Sequence, residues 1–436
     1  MFLSKNNQIK IHMTARAERK GLNMKKILTG ILALVLCMGM LIGISACGMR
    51  TGAVDLLSTI TRNEKQGLKS DEKFTAAYAE FAKKLYMKSA SSDRNTLVSP
   101  LSVMTALSMT ANGADGETLS QMENVLGGIK LEELNEYLLG YYNGLYSADN
   151  CKLSIANSVW LRDGVKVKNL FLQDCADYYS AQIYREPFSD ITKDKINLWV
   201  KDNTDGMIKK IIDDIDKDTL MYLINAITFD AKWANKFKST MTADFTNAKG
   251  ETEKAEFLCD KRYAGYFKVK GGRGTVIDYA GGRYGFAAIL PDDENININE
   301  YFASLDSTEL MNAIKGADNE NAYLNLRLPT FKFDFDIELG DALSDMGMPD
   351  AFSPKADFSR ISDDRLYIGS VIHKTHIQLD KDGTKAAAVT KIETKATSAG
   401  HTKNPTDLYF DRPFIFMIVD NQTCMPIFTG TIVTTK

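Results

Sequence analysis

Few residues in this chain are spaced for catalysis. Its four histidines are His12, His373, His376 and His401. His373 and His376 stand three apart in a strand-like run, so they point to opposite faces and cannot chelate one metal ion. Cys151, Cys175, Cys259 and Cys424 form no C-x-x-C pair and fit no zinc spacing; four thiols allow three disulfide connectivities. A body this large needs no cross-links, and four buried free thiols are expected. Gly271-Gly272-Arg273-Gly274 and Gly281-Gly282-Arg283 are glycine-rich, but a phosphate cradle opens a helix, and strand-like residues follow both. They are read as turns. H-E-x-x-H, G-x-S-x-G, a P-loop and a well-placed G-x-G-x-x-G are all missing, so no hydrolase triad, metal or cofactor is suggested. The unusual chemistry lies in the stretch from Leu379 to Pro413. Between Gly383 and Leu408 almost every residue is Ala, Thr, Lys or Ser, with Val389 and Ile392 the only aliphatics larger than Ala. No face is apolar enough to build core, so an exposed loop is expected, and loops of that length in compact domains are usually functional or disordered. Its first part, Thr384 to Thr390, is small, partly β-branched and free of Pro and Gly, so it can also lie in a sheet as a strand. The loop is built to change state.

The elements that would hold this loop alternate in class. Helical period is read in Glu72 to Lys88, with Phe74, Ala77, Tyr78, Phe81 and Leu85 on one face, and in Ser102 to Ala111. Thr118 to Leu126, Leu131 to Leu145, Leu170 to Tyr179 and Asp194 to Lys210 are further helices. Strand-like runs are Ser154 to Leu161, Leu220 to Asp230, Tyr284 to Leu290, Tyr323 to Phe335, Ile372 to Leu379, Phe414 to Val419 and Ile427 to Val433. Many are apolar on both faces, which predicts covered sheets. The order is neither strict β-α-β nor all-β, so the fold class is α+β. Composition is that of an ordinary globular protein, 44% hydrophobic and 25% charged, and allows a large core. No internal repeat, Pro/Gly/Ser-rich break or charge block divides residues 71–436, so one large mixed domain is predicted. The net charge is −3 with no basic stripe, and nucleic acid is not an implied partner.

The run His373-Lys374, then Asp382-Gly383-Thr384-Lys385-Ala386-Ala387-Ala388, resembles the strand and hinge that lead into the reactive loop of the serpins. Phe410-Asp411-Arg412-Pro413-Phe414 resembles the strand that follows that loop. Asn95 to Ser102 (Asn-Thr-Leu-Val-Ser-Pro-Leu-Ser), Asn225 to Trp233 and Ala356-Asp357-Phe358-Ser359 are similar to three further signatures, in the family's order, over roughly Phe74 to the C-terminus. The resemblance implies three β-sheets with about nine helices and an exposed reactive loop at about 381–409. It implies a monomeric inhibitor of serine proteases, not an enzyme: the protease attacks the loop as substrate, and the cut loop inserts into the central sheet while still joined to it. It places Ser99, Ser102, Asn225 and His373 in a hydrogen-bonded cluster where two strands part, and Trp233 at the top of that opening. The hinge residues are Gly383, Thr384, Ala386, Ala387 and Ala388, whose small side chains suit insertion. Lys381 and Lys385 stand where the family generally carries Glu. If Thr384, Ala386, Ala388 and Thr390 take the buried face, Lys385 faces solvent and inhibition survives.

Counting at the family's spacing from Gly383 puts the reactive bond at Thr397-Ser398; counting back from Phe410 lands near Thr402, since the loop is about five residues longer than the inhibitory norm. Insertion length is set by the sheet, so the hinge count is preferred. A small residue before the cut suits elastase-like or subtilisin-like proteases. Lys395 or Lys403 would suit a trypsin-like one. A serpin acting only as a binding protein is the alternative.

The N-terminus carries an address. Lys25-Lys26 precede Ile27 to Ala46, twenty residues without a charge, and Ile44-Ser45-Ala46-Cys47-Gly48 ends the run. Residues 24–46 read as a secretory signal peptide. The cysteine resembles a bacterial lipobox, which implies lipidation of Cys47 and an extracellular, secreted or surface-anchored body, with the membrane met only through that lipid; a plain membrane anchor is the other reading. Residues 1–23 precede Met24, an alternative start of translation, and residues 47–70 read as a flexible tether.

Overall fold

A central helix starts at a proline. Pro100 has no N–H to satisfy and a preset φ, so it suits the first turn, while the Ser99 side chain caps the helix by accepting from Ser102 N at 3.3 Å. Every residue of Pro100–Ala111 is buried, and a helix buried on all sides belongs in the interior. The computed structural model describes residues 52–436 except 146, 148–149, 180, 217–218, 318–321 and 385–403. Among the described residues are nine α-helices: α1 (Glu72–Ser89), α2 (Pro100–Ala111), α3 (Gly116–Val125), α4 (Leu131–Gly144), α5 (Asn169–Tyr178), α6 (Asp190–Asn203), α7 (Ile298–Ser304), α8 (Ser307–Lys315) and α9 (Gly340–Met346).

The strands form three sheets. The largest runs, in spatial order, β1 (Val54–Asp55), β4 (Gln182–Glu186), β3 (Cys151–Arg162), β5 (Met221–Lys232), β14 (Gly383–Thr384), β13 (Ser370–Asp380) and β12 (Phe331–Glu338). The second runs β2 (Thr96–Val98), β17 (Pro426–Ile432), β16 (Phe414–Asp420), β10 (Tyr284–Pro291), β9 (Gly272–Asp278) and β8 (Gly265–Val269). The third runs β15 (Thr406–Tyr409), β11 (Tyr323–Pro329), β7 (Thr252–Tyr263) and β6 (Ser239–Thr246). α2 touches β3 and β5 on one side and β17 on the other, so it is the shared core of the first two sheets. Strands β10, β16 and β17 are buried at every residue, as expected for strands covered on both faces.

The structure revises several expectations. Tyr323 to Phe335 is two strands in different sheets. Pro329 ends β11 because it has no N–H to give a further ladder, and the chain crosses at Thr330 to start β12. The buried residues change parity there, from Leu324, Leu326 and Leu328 to Phe331 and Phe335, a signal hidden inside one apolar run. α6 begins at Asp190, because Ser189 and Thr192 form a capping box, and ends at Asn203, before left-handed Asp205 and Gly206. The segment 47–70 is not a free tether beyond Gly52. Val54–Asp55 pairs with β4, Asp177 accepts from Asn63 N at 2.7 Å, and Leu68 N donates to Glu136 O at 2.9 Å. Gly67 and Gly140 meet closely: a Cβ on Gly67 would lie 2.3 Å from Gly140 N, and one on Gly140 1.9 Å from Leu68 O. Leu56, Leu57 and Ile60 also pack against the core, too few and too scattered for composition to reveal the docking. Cys151, Cys175, Cys259 and Cys424 are free thiols, with Cys259 half-buried and the other three buried.

Candidate functional site

The largest sheet has a seam. β5 and β13 pair in parallel from Tyr222 opposite Ser370 to Thr228 opposite His376. Parallel pairs are slightly weaker per residue than antiparallel ones, and beyond His376 these two strands separate. The chain itself fills the gap. After β13, the Asp380 carboxylate accepts from Asp382 N at 2.8 Å and Gly383 N at 3.3 Å, which turns the backbone; Lys236 holds Asp382 at 2.6 Å from outside. Gly383 and Thr384 then lie as β14 between Leu379–Asp380 of β13 and Ala231–Lys232 of β5. Only glycine fits the first position, because a Cβ on Gly383 would sit 2.0 Å from Ala231 O.

Thr384 is buried, and its hydroxyl shares a 2.5 Å hydrogen bond with the Tyr279 hydroxyl. Tyr279 stacks on Trp233 at 4.6 Å between centroids and 7° between planes. Trp233 in turn donates from Nε1 to Asp380 O at 2.9 Å and from its backbone N–H to Asp382 O at 3.0 Å. Trp233 and Tyr279 therefore hold both the turn and Thr384. Burial pushes the Tyr279 phenol far up, so it stays a neutral donor or acceptor.

Below the inserted residues, a polar cluster spans the seam. Ser99, Ser102, Asn225 and His373 are all fully buried. Ser99 N donates to His373 Nε2 at 3.0 Å, His373 Nδ1 meets Asn225 Oδ1, and Asn225 Nδ2 meets both Ser102 Oγ and Asn157 Oδ1. Ser99 Oγ donates to Ile427 O at 2.8 Å, which ties the cluster to the second sheet. Burial pushes the His373 imidazole down to about 3, so it is neutral at physiological pH. The geometry links α2, β3, β5 and β13 at the point where the parallel strands are still closed.

Ser99, Ser102, Asn225 and His373 thus meet as one group, while Trp233 stands apart at the upper end with Gly383 and Thr384. Ala386, Ala387, Ala388, Lys395, Thr397, Ser398 and Lys403 lie outside the described residues, as does Cys47. Two residues of the site escaped the sequence reading. Asn157 was a polar residue inside an apolar strand, a signal that it needs a partner. Tyr279 had no local signal, since it is one aromatic among many. Among the described residues no group of His, Cys, Asp or Glu is placed to hold a metal ion, and no helix is long and apolar enough to cross a membrane.

The family model described as Serpin (serine protease inhibitor) matches residues 76–435. A serpin-like protein of Methanosarcina acetivorans is 30% identical, with 81% of this chain and 86% of that protein covered. Alpha-1-antiproteinase F of Cavia porcellus is also 30% identical, covering 81% and 88%. Among solved structures, the native state of the thermophilic serpin tengpin is 43% identical, covers 88% of this chain and 99% of its own, and superposes with a TM-score of 0.83. The latent state of tengpin superposes less well, at 0.74.

Proposed function

The chain belongs to the serpin family, and from that premise we propose that it inhibits serine proteases as a suicide substrate. The observation that carries this reading is the wedge of Gly383 and Thr384 between β5 and β13. The sheet has begun to accept the chain that leads into the loop, and the parallel seam below needs only to part to take more of it. Each added residue would exchange solvated backbone for ladder hydrogen bonds, since loop insertion in serpins is a strand addition that also releases stored strain. The protease serine attacks the Thr397 carbonyl, the Thr397-Ser398 bond breaks, and Ser398 leaves as the new amino terminus after taking a proton from the protease's general acid. The acyl ester stays on Thr397. Insertion then carries the protease away before water completes its hydrolysis. All catalytic groups belong to the protease.

The small residues Thr397 and Ser398 support elastase-like or subtilisin-like targets, whose apolar pockets select by size. The signal-like residues 24–46 and Cys47 support export with a lipid on Cys47, so that the inhibitor meets its protease outside the cell. Labelling with a radioactive fatty acid, lost in Cys47→Ala, tests the anchor.

The decisive experiment mixes residues 48–436 with an elastase-like, a subtilisin-like and a trypsin-like serine protease and resolves the products by denaturing gel and intact mass. A band at the summed mass with a released peptide beginning at Ser398 is the expected result. A peptide beginning after Lys395 or Lys403 would move the target to the trypsin type. Nicked protein beside fully active proteases would overturn inhibition and leave a binding protein.

A further inference from the structure

Each of the three sheets ends in two edge strands, and an edge presents unpaired N–H and C=O groups that another chain can pair with. Five of the six edges are protected. β1, β2 and β15 are two, three and four residues long, β8 has five residues and lies against α8, and β12 holds Lys332, Asp334, Asp336 and Glu338 in solvent. β6 has none of these devices. It is eight residues long, pairs with β7 from Ser239 opposite Cys259 to Thr246 opposite Thr252 without a register shift, and is exposed from Ser239 to Thr242. Met241 is left 41% exposed there.

The ladder decides which backbone groups of β6 are free. In an antiparallel pair a residue turns its N–H and C=O to the same neighbour, and successive residues alternate. On the β11 side of β7, Thr330 N donates to Glu256 O at 2.8 Å and Ala264 N donates to Ala322 O at 3.2 Å, so the even residues of β7 face β11 and the odd ones face β6. With Met241 opposite Phe257, the odd residues of β6 are spent on β7, and Thr240, Thr242 and Asp244 point away from the sheet. Thr246 points the same way but is already used, since its N–H donates to Asp411 O at 2.8 Å. At the other end, Lys236 O accepts from the Arg262 guanidinium at 2.9 Å. The open edge therefore runs from Lys238 to Asp244, about 20 Å.

We propose that β6 pairs with β6 of a second copy of this chain, antiparallel, across a two-fold axis at Met241. In that register Thr240 lies opposite Thr242 of the copy, and Thr242 opposite Thr240, both as hydrogen-bonded pairs, while Lys238 lies opposite Asp244 at each end. Threonine pairs and opposite charges set directly across a ladder both stabilise it. Met241 meets Met241 in the closely spaced, non-bonded pair on the axis, flanked by the small Ser239 opposite Ala243. Other registers lose these pairings. A slide of two residues one way sets Lys238 against Thr246, whose N–H is taken, and the other way sets Asp244 against Lys236, whose carbonyl is taken. A slide of one turns outward groups toward inward ones. Because the edge is its own complement, pairing closes at two copies. An interface one strand wide is small, so a Kd on the order of 10 μM is expected, and well below it the chain is the monomer that the resemblance implies. The pairing does not depend on protease inhibition.

Sedimentation velocity of residues 48–436, from roughly a tenth of that concentration to twenty times it, should show monomer passing to dimer and nothing larger. Thr242→Pro removes an outward N–H without touching the β6–β7 ladder and should weaken the dimer about tenfold or more. Lys238→Asp and Asp244→Lys should each weaken it by setting like charges opposite, and the two together should restore it, a rescue that a merely disturbed fold would not give. Met241→Cys should yield a covalent dimer under mild oxidation, because the Cα atoms of a non-bonded pair lie about 4.5 Å apart, whereas Thr240→Cys should not. The parent, with its four free thiols, is the control. Assemblies larger than two, or a dimer indifferent to Thr242→Pro and to both charge reversals, would overturn the proposal. So would a chain that stays monomeric throughout, which would leave the edge to a strand of another protein.

Discussion

The hydroxyls of Tyr279 and Thr384 form a buried 2.5 Å hydrogen bond between residues 105 positions apart. It fastens the Thr384 side chain under the aromatic pair of Tyr279 and Trp233, at the point where β5 and β13 diverge. Gly383 and Thr384 are thus already part of the sheet, and the seam below them is closed by parallel pairing and by the His373–Asn225 contact. In the proposed mechanism the same strands serve as the scaffold and as the moving part.

Replacing Thr384 by Arg tests the wedge. The site is 1% exposed, so the segment should be expelled from the sheet rather than bury a guanidinium. The variant is expected to be cut by the target protease at a similar rate while the covalent complex falls about tenfold or more. Gel densitometry against the parent checks this, with circular dichroism to show that the body is folded.

His373 should make stability fall in mild acid. Its folded value is pushed down to about 3 from the usual 6.5, so below pH 6.5 the unfolded chain binds a proton that the folded one refuses. Stability from this group is full above pH 6.5 and is lost by about 1.4 kcal/mol per pH unit as pH falls from 6.5 toward 3. Urea midpoints at pH 7, 6 and 5 should show that slope in the parent, and His373→Gln should flatten it.

Glu253 clasps the C-terminus. Burial alone would raise its carboxyl, but Asn247, the Thr435 N–H and the Thr434 and Thr435 hydroxyls outweigh that and bring it down to about 2. Thr435 N donates at 2.7 Å and the two hydroxyls at 2.7 and 2.8 Å. Because the folded value is lowered from 4.5, its contribution is complete above pH 4.5 and vanishes as pH falls through about 2. Glu253→Gln is expected to cost about 2 kcal/mol at pH 7 and to speed removal of Lys436 by carboxypeptidase.

The count from Gly383 makes Thr397 the residue that the target's pocket must accept. Thr397→Arg should transfer inhibition from the elastase type to a trypsin-like protease whose acidic pocket pairs the guanidinium. Association rate constants with both proteases, measured for parent and variant, check the exchange. An unchanged preference would place the cut elsewhere in the loop.

Much of the fold was legible because its signals are local. Pro100 after Ser99 marked the start of α2, and apolar runs marked β5, β10 and β16. Where the signal was not local the reading failed. One apolar run concealed the change of sheet at Thr330, because a strand reads alike whichever sheet it joins. The docking of residues 53–70 escaped because its apolar residues, Leu56, Leu57 and Ile60, are few, and backbone pairing with β4 and the Gly67–Gly140 contact leave no mark on hydrophobicity. Asn157 and Tyr279 escaped for a related reason, since each gains its meaning from a partner far away in the chain.

By itself, then, the sequence determined the α+β class and the family signatures. These depend on residue type and spacing along the chain. Tertiary structure alone decided that Gly383 and Thr384 already lie between β5 and β13, and that Asn157 ends a relay beginning at Ser99 N. Both depend on which strands meet and in what register, and register is a sum over distant pairings that no single stretch of sequence carries.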